Sequence, residues 1–273
     1  MLQRTVLSVM CMLSLTVGVA GSGCSDPAAG TNANPDSSAP AADLSQGNED
    51  MALPPHTRML HLIASDYDIP PGTERYQCQR ITVEKDLYLL KITPVSPLGV
   101  HHEVLAIDPS NGPDGVSRCG PLDTSWRPLF ASGVGSPSLV MPQRVALKVP
   151  AGSKLVLDLH LFNAKPTSNI TGTAAVDVIV ADSDDGYQLA QVPFIGPVQF
   201  TIPASGKVSG SCTVSNDTSY FAVFPHMHTT GKHIKISAGR PGSDTVVWDD
   251  DYSFDEQRFG SFPDWKGPQD RKS

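Results

Sequence analysis

Five of the eight histidines fall in three short motifs: Val100-His101-His102-Glu103, Leu159-His160-Leu161 and Pro225-His226-Met227-His228. The other three, His56, His61 and His233, stand apart. Imidazole suits copper, zinc, iron and nickel, so the chemistry these motifs could carry is metal binding. On a strand, residues two apart point to the same face. His226 and His228 can therefore reach one ion while Met227 points away. Adjacent strand residues face opposite ways, so His101 and His102 share an ion only if the backbone bulges there. Gly99, just before the pair, makes such a kink easy. Each motif alone also has a plainer reading. H-x-H can be a chance pair on a half-exposed strand, His-His a structural pair, and His160 a satisfied core or edge side chain.

The three motifs together shift that balance towards a metal. The H-E-x-x-H spacing of many zinc enzymes is absent, and no cysteine pair has zinc-finger spacing. Five histidines without clustered carboxylates favour copper. They form two groups: His101 and His102 with His160, and further on His226 with His228.

The elements that must position them read as strands. The chain has 273 residues, with 24 Pro, 23 Gly and only 7% aromatic residues, a profile of many short strands joined by turns. Expected strands include 80–93, 145–149, 154–162, 174–180, 199–202, 207–214, 219–228, 232–237 and 245–248, with turn residues every eight to twelve positions, as in a sandwich or jelly roll. No stretch carries a sustained 3.6-residue apolar period. The polar turn Asp182-Ser-Asp-Asp-Gly186 and the prolines that follow place a boundary near 190–197. The expected fold class is all-β, with two β-sandwich domains at 53–192 and 193–273.

The flanks point to export. Residues 1–23 read as a secretory signal peptide, with one charge in Met1–Arg4 and a mostly apolar run to Ala20. Gly21-Ser-Gly-Cys24 resembles a bacterial lipobox, loosely, because Gly21 stands where Leu is usual. Lipidation of Cys24 would anchor the chain. Residues 24–52 are Ala, Pro, Ser, Asn, Gly and Asp with almost no large apolar side chain, the composition of a disordered tether. The membrane is thus a partner through the lipid anchor only, and the expected location is the outer membrane, facing the periplasm or the cell surface. The formal charge of −8, with Lys and Arg scattered singly, excludes a basic stripe for nucleic acid. Beyond Cys11 and Cys24, an odd set remains: Cys78, Cys119 and Cys212.

The order of motifs is similar to that of the copper type II, ascorbate-dependent monooxygenases, the family of peptidylglycine α-hydroxylating monooxygenase and dopamine β-monooxygenase. The likeness runs from about Tyr76 to about Trp248. It is strongest in Gly99-Val-His-His-Glu-Val-Leu105, Leu157-Asp-Leu-His-Leu-Phe-Asn163 and Phe224-Pro-His-Met-His-Thr-Thr-Gly231. The resemblance implies two jelly-roll-like domains with one copper on each across an open cleft. His101, His102 and His160 would hold the electron-transfer copper. His226 and His228, with a downstream Met, would hold the copper that meets O2. Ascorbate would be the reductant, and O2 would hydroxylate a substrate C–H. The resemblance also implies a disulfide between Cys78 and Cys119.

Two departures qualify this. No Met follows His228; after the signal peptide the chain has Met51, Met59, Met141 and Met227 alone. Cys212 stands where the family has a cysteine paired to a segment beyond Trp248. Both departures are expected if the second domain is truncated. Peptide-processing members carry an Arg two residues before H-x-H, and here that residue is Phe224, which argues against peptide amidation and leaves the substrate open. Three functions compete: a copper monooxygenase-like enzyme, a non-catalytic copper-binding lipoprotein for sequestration or delivery, and a structural β-sandwich.

Overall fold

The computed structural model describes residues 6–12, 55–110, 112–120, 123–184, 186–194, 206–211, 219–227, 231–239, 243–254, 257 and 259–261. The fold is all-β, with no helix among these residues. The first strands are β1 (Val6–Met12), β2 (Thr57–Ile69), β3 (Thr73–Thr82), β4 (Leu87–Val95), β5 (Val100–Ile107) and β6 (Gly115–Arg118). Then come β7 (Arg127–Gly133), β8 (Leu139–Val140), β9 (Val145–Val149), β10 (Lys154–Asn163) and β11 (Ile170–Ala181). The last are β12 (Gln188–Gln191), β13 (Ser219–His226), β14 (His233–Ala238), β15 (Thr245–Asp251) and β16 (Gly260–Ser261).

Two sheets enclose the core. One runs β16-β13-β1-β12-β9-β4-β11-β2, with β8 paired to β4; the other runs β6-β3-β10-β5-β7. Strands β14 and β15 pair as a third, two-stranded sheet, whose Trp248 ring lies close against Gly260 of β16. Within the five-stranded sheet all neighbours are antiparallel. Strand β1 lies in the segment expected to be the signal peptide and pairs in parallel with β12 and β13. The expected tether lies outside the described residues.

Four expected strands, 145–149, 154–162, 219–228 and 232–237, appear within a residue or two at each end, while 174–180 begins four residues earlier and 245–248 runs three residues further. The stretch 80–93 is two strands rather than one. The polar run Glu84-Lys85-Asp86 interrupts it, and the Ala151 amide donates to the Asp86 carboxylate there. Residues 207–210 carry no strand, having little apolar surface to anchor one, and 199–202 and 212–214 lie outside the described residues.

Strand β10 is the centre of the second sheet, and its alternation decides where chemistry can occur. Leu155, Leu157, Leu159 and Leu161 share one face, each fully buried in the core with Leu89, Ile92, Val176 and Val178 of the larger sheet. Truncating any one of these leucines to Ala should cost about 2–5 kcal/mol. Asp158 and His160 occupy the opposite face. Phe221, Phe224 and Phe259 belong to the same continuous core as the residues before 192.

Candidate metal centre

On the face of β10 that bears His160, the antiparallel register builds a rung of three side chains. Tyr76 of β3 lies directly across from His160 on one side, and His102 of β5 on the other. The next rung sets Cys78 beside Asp158, with Val104 opposite. Residues 26 to 84 positions apart in the chain thus meet through strand pairing alone.

His101 reaches the same place through a bulge. The β10–β5 register passes from His160↔His102 to Leu161↔Val100, so His101 is the extra residue on its strand. Without the bulge it would point to the opposite face. Gly99 sits at φ +100°, where L side chains are strained, and a Cβ there would come within 2.8 Å of Ile69 Cδ1 and 2.9 Å of Ile170 Cγ2. The kink expected from Gly99-Val-His-His is present.

The three Nδ1 atoms converge. His101 Nδ1 is 3.2 Å from His102 Nδ1, and His160 Nδ1 is 3.3 Å from that same atom. Nitrogen ligands on a tetrahedral ion with bonds of about 2.0–2.1 Å lie about 3.3 Å apart. The donor spacing therefore matches what an ion needs. Proton bookkeeping points the same way. His160 Nε2 lies 2.6 Å from Glu74 Oε1 and donates to it, so the neutral ring carries its lone pair on Nδ1. His102 Nδ1 can hold one proton at most, and two nitrogens approach it. A cation at the common point satisfies all three lone pairs at once. Among the described residues, His101, His102 and His160 form one group able to hold a metal ion.

The surroundings fix the rings. Tyr76 stacks on His160 with ring centroids 4.6 Å apart and planes 8° from parallel. Burial holds His160 below the ordinary imidazole value against the opposing pull of Glu74, which keeps it neutral and ligand-competent. The Tyr76 phenol is pushed up to about 12 by burial, with Asp158 and Glu74 adding to it, so it stays protonated. Cys78 and Cys119 are disulfide-bonded, their Cα atoms 5.8 Å apart, and tie β3 to the loop after β6 beneath the site. Asp158 lies against that bond, 3.5 Å from Cys119 Sγ, with its carboxyl raised to about 7 by burial and drawn down by Arg80. Glu103, third in the His-His-Glu motif, faces away from the rings. It is fully buried, accepts from Ser132 Oγ at 3.0 Å, and is raised to about 8 by desolvation.

A second layer comes from the C-terminal part. His226, the last residue of β13, is buried, and its ring centroid is 5.7 Å from that of His102. The resemblance implied an open cleft at this point; here His226 stands beside the triad. Phe254 packs on His101 at 4.1 Å between centroids. Gln257 Oε1 is 2.5 Å from His226 Nδ1. His228, Cys24 and Cys212 lie outside the described residues.

Glu74, Tyr76, Phe254 and Gln257 were not legible as site residues. For the first two a signal existed, in that Glu74, Tyr76 and Cys78 alternate on one strand face. Phe254 and Gln257 sit in a polar stretch without periodicity. No protein-family model matches the chain, and no curated protein matches it.

Proposed function

We propose that this protein is a copper-dependent, monooxygenase-like redox protein whose copper is held by His101, His102 and His160, with ascorbate as reductant and O2 as co-substrate. The observation that carries the reading is the approach of His101 Nδ1 and His160 Nδ1 to His102 Nδ1 at the spacing of one ion's ligands, with one ligand atom of each residue within 4.8 Å of the others. Bound copper supplies one-electron chemistry between its two oxidation states. The chain's own residues do the rest. The β5 bulge turns His101 towards His102, Glu74 fixes the His160 tautomer, and Tyr76 blocks rotation of that ring. Burial of His101 and His160 keeps bulk water from competing for the nitrogens.

Export and a lipid at Cys24 belong to the same proposal, placing the protein at the outer membrane; Cys24→Ala should then move it into the soluble fraction. The substrate class stays open.

A second reading, a non-catalytic copper-binding lipoprotein, is favoured by one feature: Phe254 and His226 pack against the triad, and Gln257 holds His226 there. One experiment separates the two. Copper-loaded protein, ascorbate and 18O2 are incubated with a small-molecule extract of the source cells. Label in an organic product that depends on His160 supports the enzyme; copper bound and reduced by ascorbate without incorporation supports the carrier.

A further inference from the structure

The triad's ring centroids are 4.5, 5.1 and 5.4 Å apart, and His226 lies 5.7 Å from His102. Two imidazoles bound to one tetrahedral ion have centroids about 5 Å apart, given metal–nitrogen bonds of about 2.0–2.1 Å. His226 is therefore at nearly the distance of a neighbouring imidazole from one ring of the triad, His102, while it falls outside the set of ligand atoms that lie within 4.8 Å of one another.

Gln257 determines which nitrogen His226 presents. The Gln257 amide Nε2 donates to the Phe254 carbonyl at 3.1 Å, so its Oε1 is the atom that faces His226 Nδ1. An amide oxygen only accepts, so His226 Nδ1 carries the proton and Nε2 carries the lone pair. Gln257 is itself held on three sides. Its side chain is buried, Ser136 Oγ donates to its carbonyl at 2.6 Å, and its Cβ fills the space that a side chain on Gly133 would take, 2.6 Å from a Cβ built there. A buried amide this constrained, holding a buried histidine in one tautomer next to three others, has the character of an outer-shell metal-site partner.

We propose that His226 serves as the fourth nitrogen ligand of the triad's own metal centre, with Gln257 as its positioning residue, giving one four-imidazole site in place of two separate ones. This rests on the copper reading of the triad. Imidazole nitrogen is a donor that suits copper.

The test loads the full chain with Cu(II), removes loose metal by dialysis, counts copper per chain and records the electron paramagnetic resonance spectrum. Wild type, His226→Ala, Gln257→Leu, Gln257→Glu and His160→Ala are compared. The expected result is one ion per wild-type chain. His226→Ala should keep it with an altered copper hyperfine splitting and at least tenfold weaker affinity. Gln257→Leu should give the same altered spectrum, and Gln257→Glu, which retains an acceptor, should return towards wild type. Two ions per wild-type chain, or a His226→Ala spectrum identical to wild type, would overturn the proposal. A merely structural Gln257 would change thermal stability in both of its variants and leave the hyperfine splitting of each unmoved. If His160→Ala binds copper as wild type does, the triad reading itself fails, a distinct result that removes both.

Discussion

His102 and His160, 58 residues apart in the chain, lie directly across an antiparallel rung with Nδ1 atoms 3.3 Å apart. That pairing places two ligands before any metal arrives. The third, His101, needs a local departure from regular strand, and the fourth candidate needs the C-terminal segment. The arrangement thus has a rigid part, set by the β3-β10-β5 register, and a part contributed by residues 226–257.

The bulge is the first point to test. Gly99→Ala places a Cβ in a left-handed conformation and within 3 Å of Ile69 and Ile170 side chains. The expected outcome is a loss of about 1–3 kcal/mol of stability, read by chemical denaturation. Copper affinity should fall too, because a straightened strand turns His101 away. Unchanged affinity in a folded variant would separate the bulge from ligand placement.

Glu74 is the outer partner of His160. Removing its charge while keeping its shape, Glu74→Gln, should weaken copper binding roughly 10- to 100-fold, measured by competition with a chelator of known affinity. Its carboxylate is more than half exposed, so folding stability should change little. A large stability loss with intact affinity would assign Glu74 to the fold and not to the metal.

How much of this could be read from the chain depends on the range of the interaction. The all-β class, the bulge at Gly99-Val-His-His and the facing of His160 away from the leucines are consequences of alternation and of one glycine, all local. The disulfide and the ligand set came from resemblance. Alternation puts Glu74 and Tyr76 on one strand face with Cys78, but that this face meets His160 depends on the β3–β10 register, which no local pattern encodes. Gln257 and Phe254 are further removed, because irregular chain leaves no period to follow. The break of 80–93 into two strands reflects Glu84-Lys85-Asp86, whose polarity competes with the flanking alternation.

The disulfide closes a loop with a sequence separation of 41 residues. Loop-closure entropy for such a span corresponds to about 4 kcal/mol. Replacing both Cys78 and Cys119 by Ser should lower the unfolding free energy by that order, and mild reduction should do the same to wild type. No shift on reduction would mean the bond contributes nothing to the fold.

Asp158 gives the metal-free protein a pH signature. Its carboxyl titrates near 7 in the fold, raised by burial from 3.8. Between those values the folded protein keeps a proton that the unfolded chain has released. The stability that Asp158 contributes is therefore full below about pH 4, is lost as pH rises through 7, and levels off above it. Glu103, raised to about 8, adds a slope of the same sign, so Asp158→Asn should remove only the Asp158 share, matching wild type near pH 4 and exceeding it at pH 8 by on the order of a few kcal/mol. Parallel stability curves for the two proteins would contradict the buried-acid assignment.

On the proposed reading, one copper ion sits between the Nδ1 atoms of His101, His102 and His160. Anomalous diffraction at the copper edge, from crystals of the copper-loaded protein, tests it most directly. The expected result is a peak about 2 Å from each of those three nitrogens, lost in His102→Ala crystals. A copper peak elsewhere, or one that persists unchanged without the His102 imidazole, would contradict it.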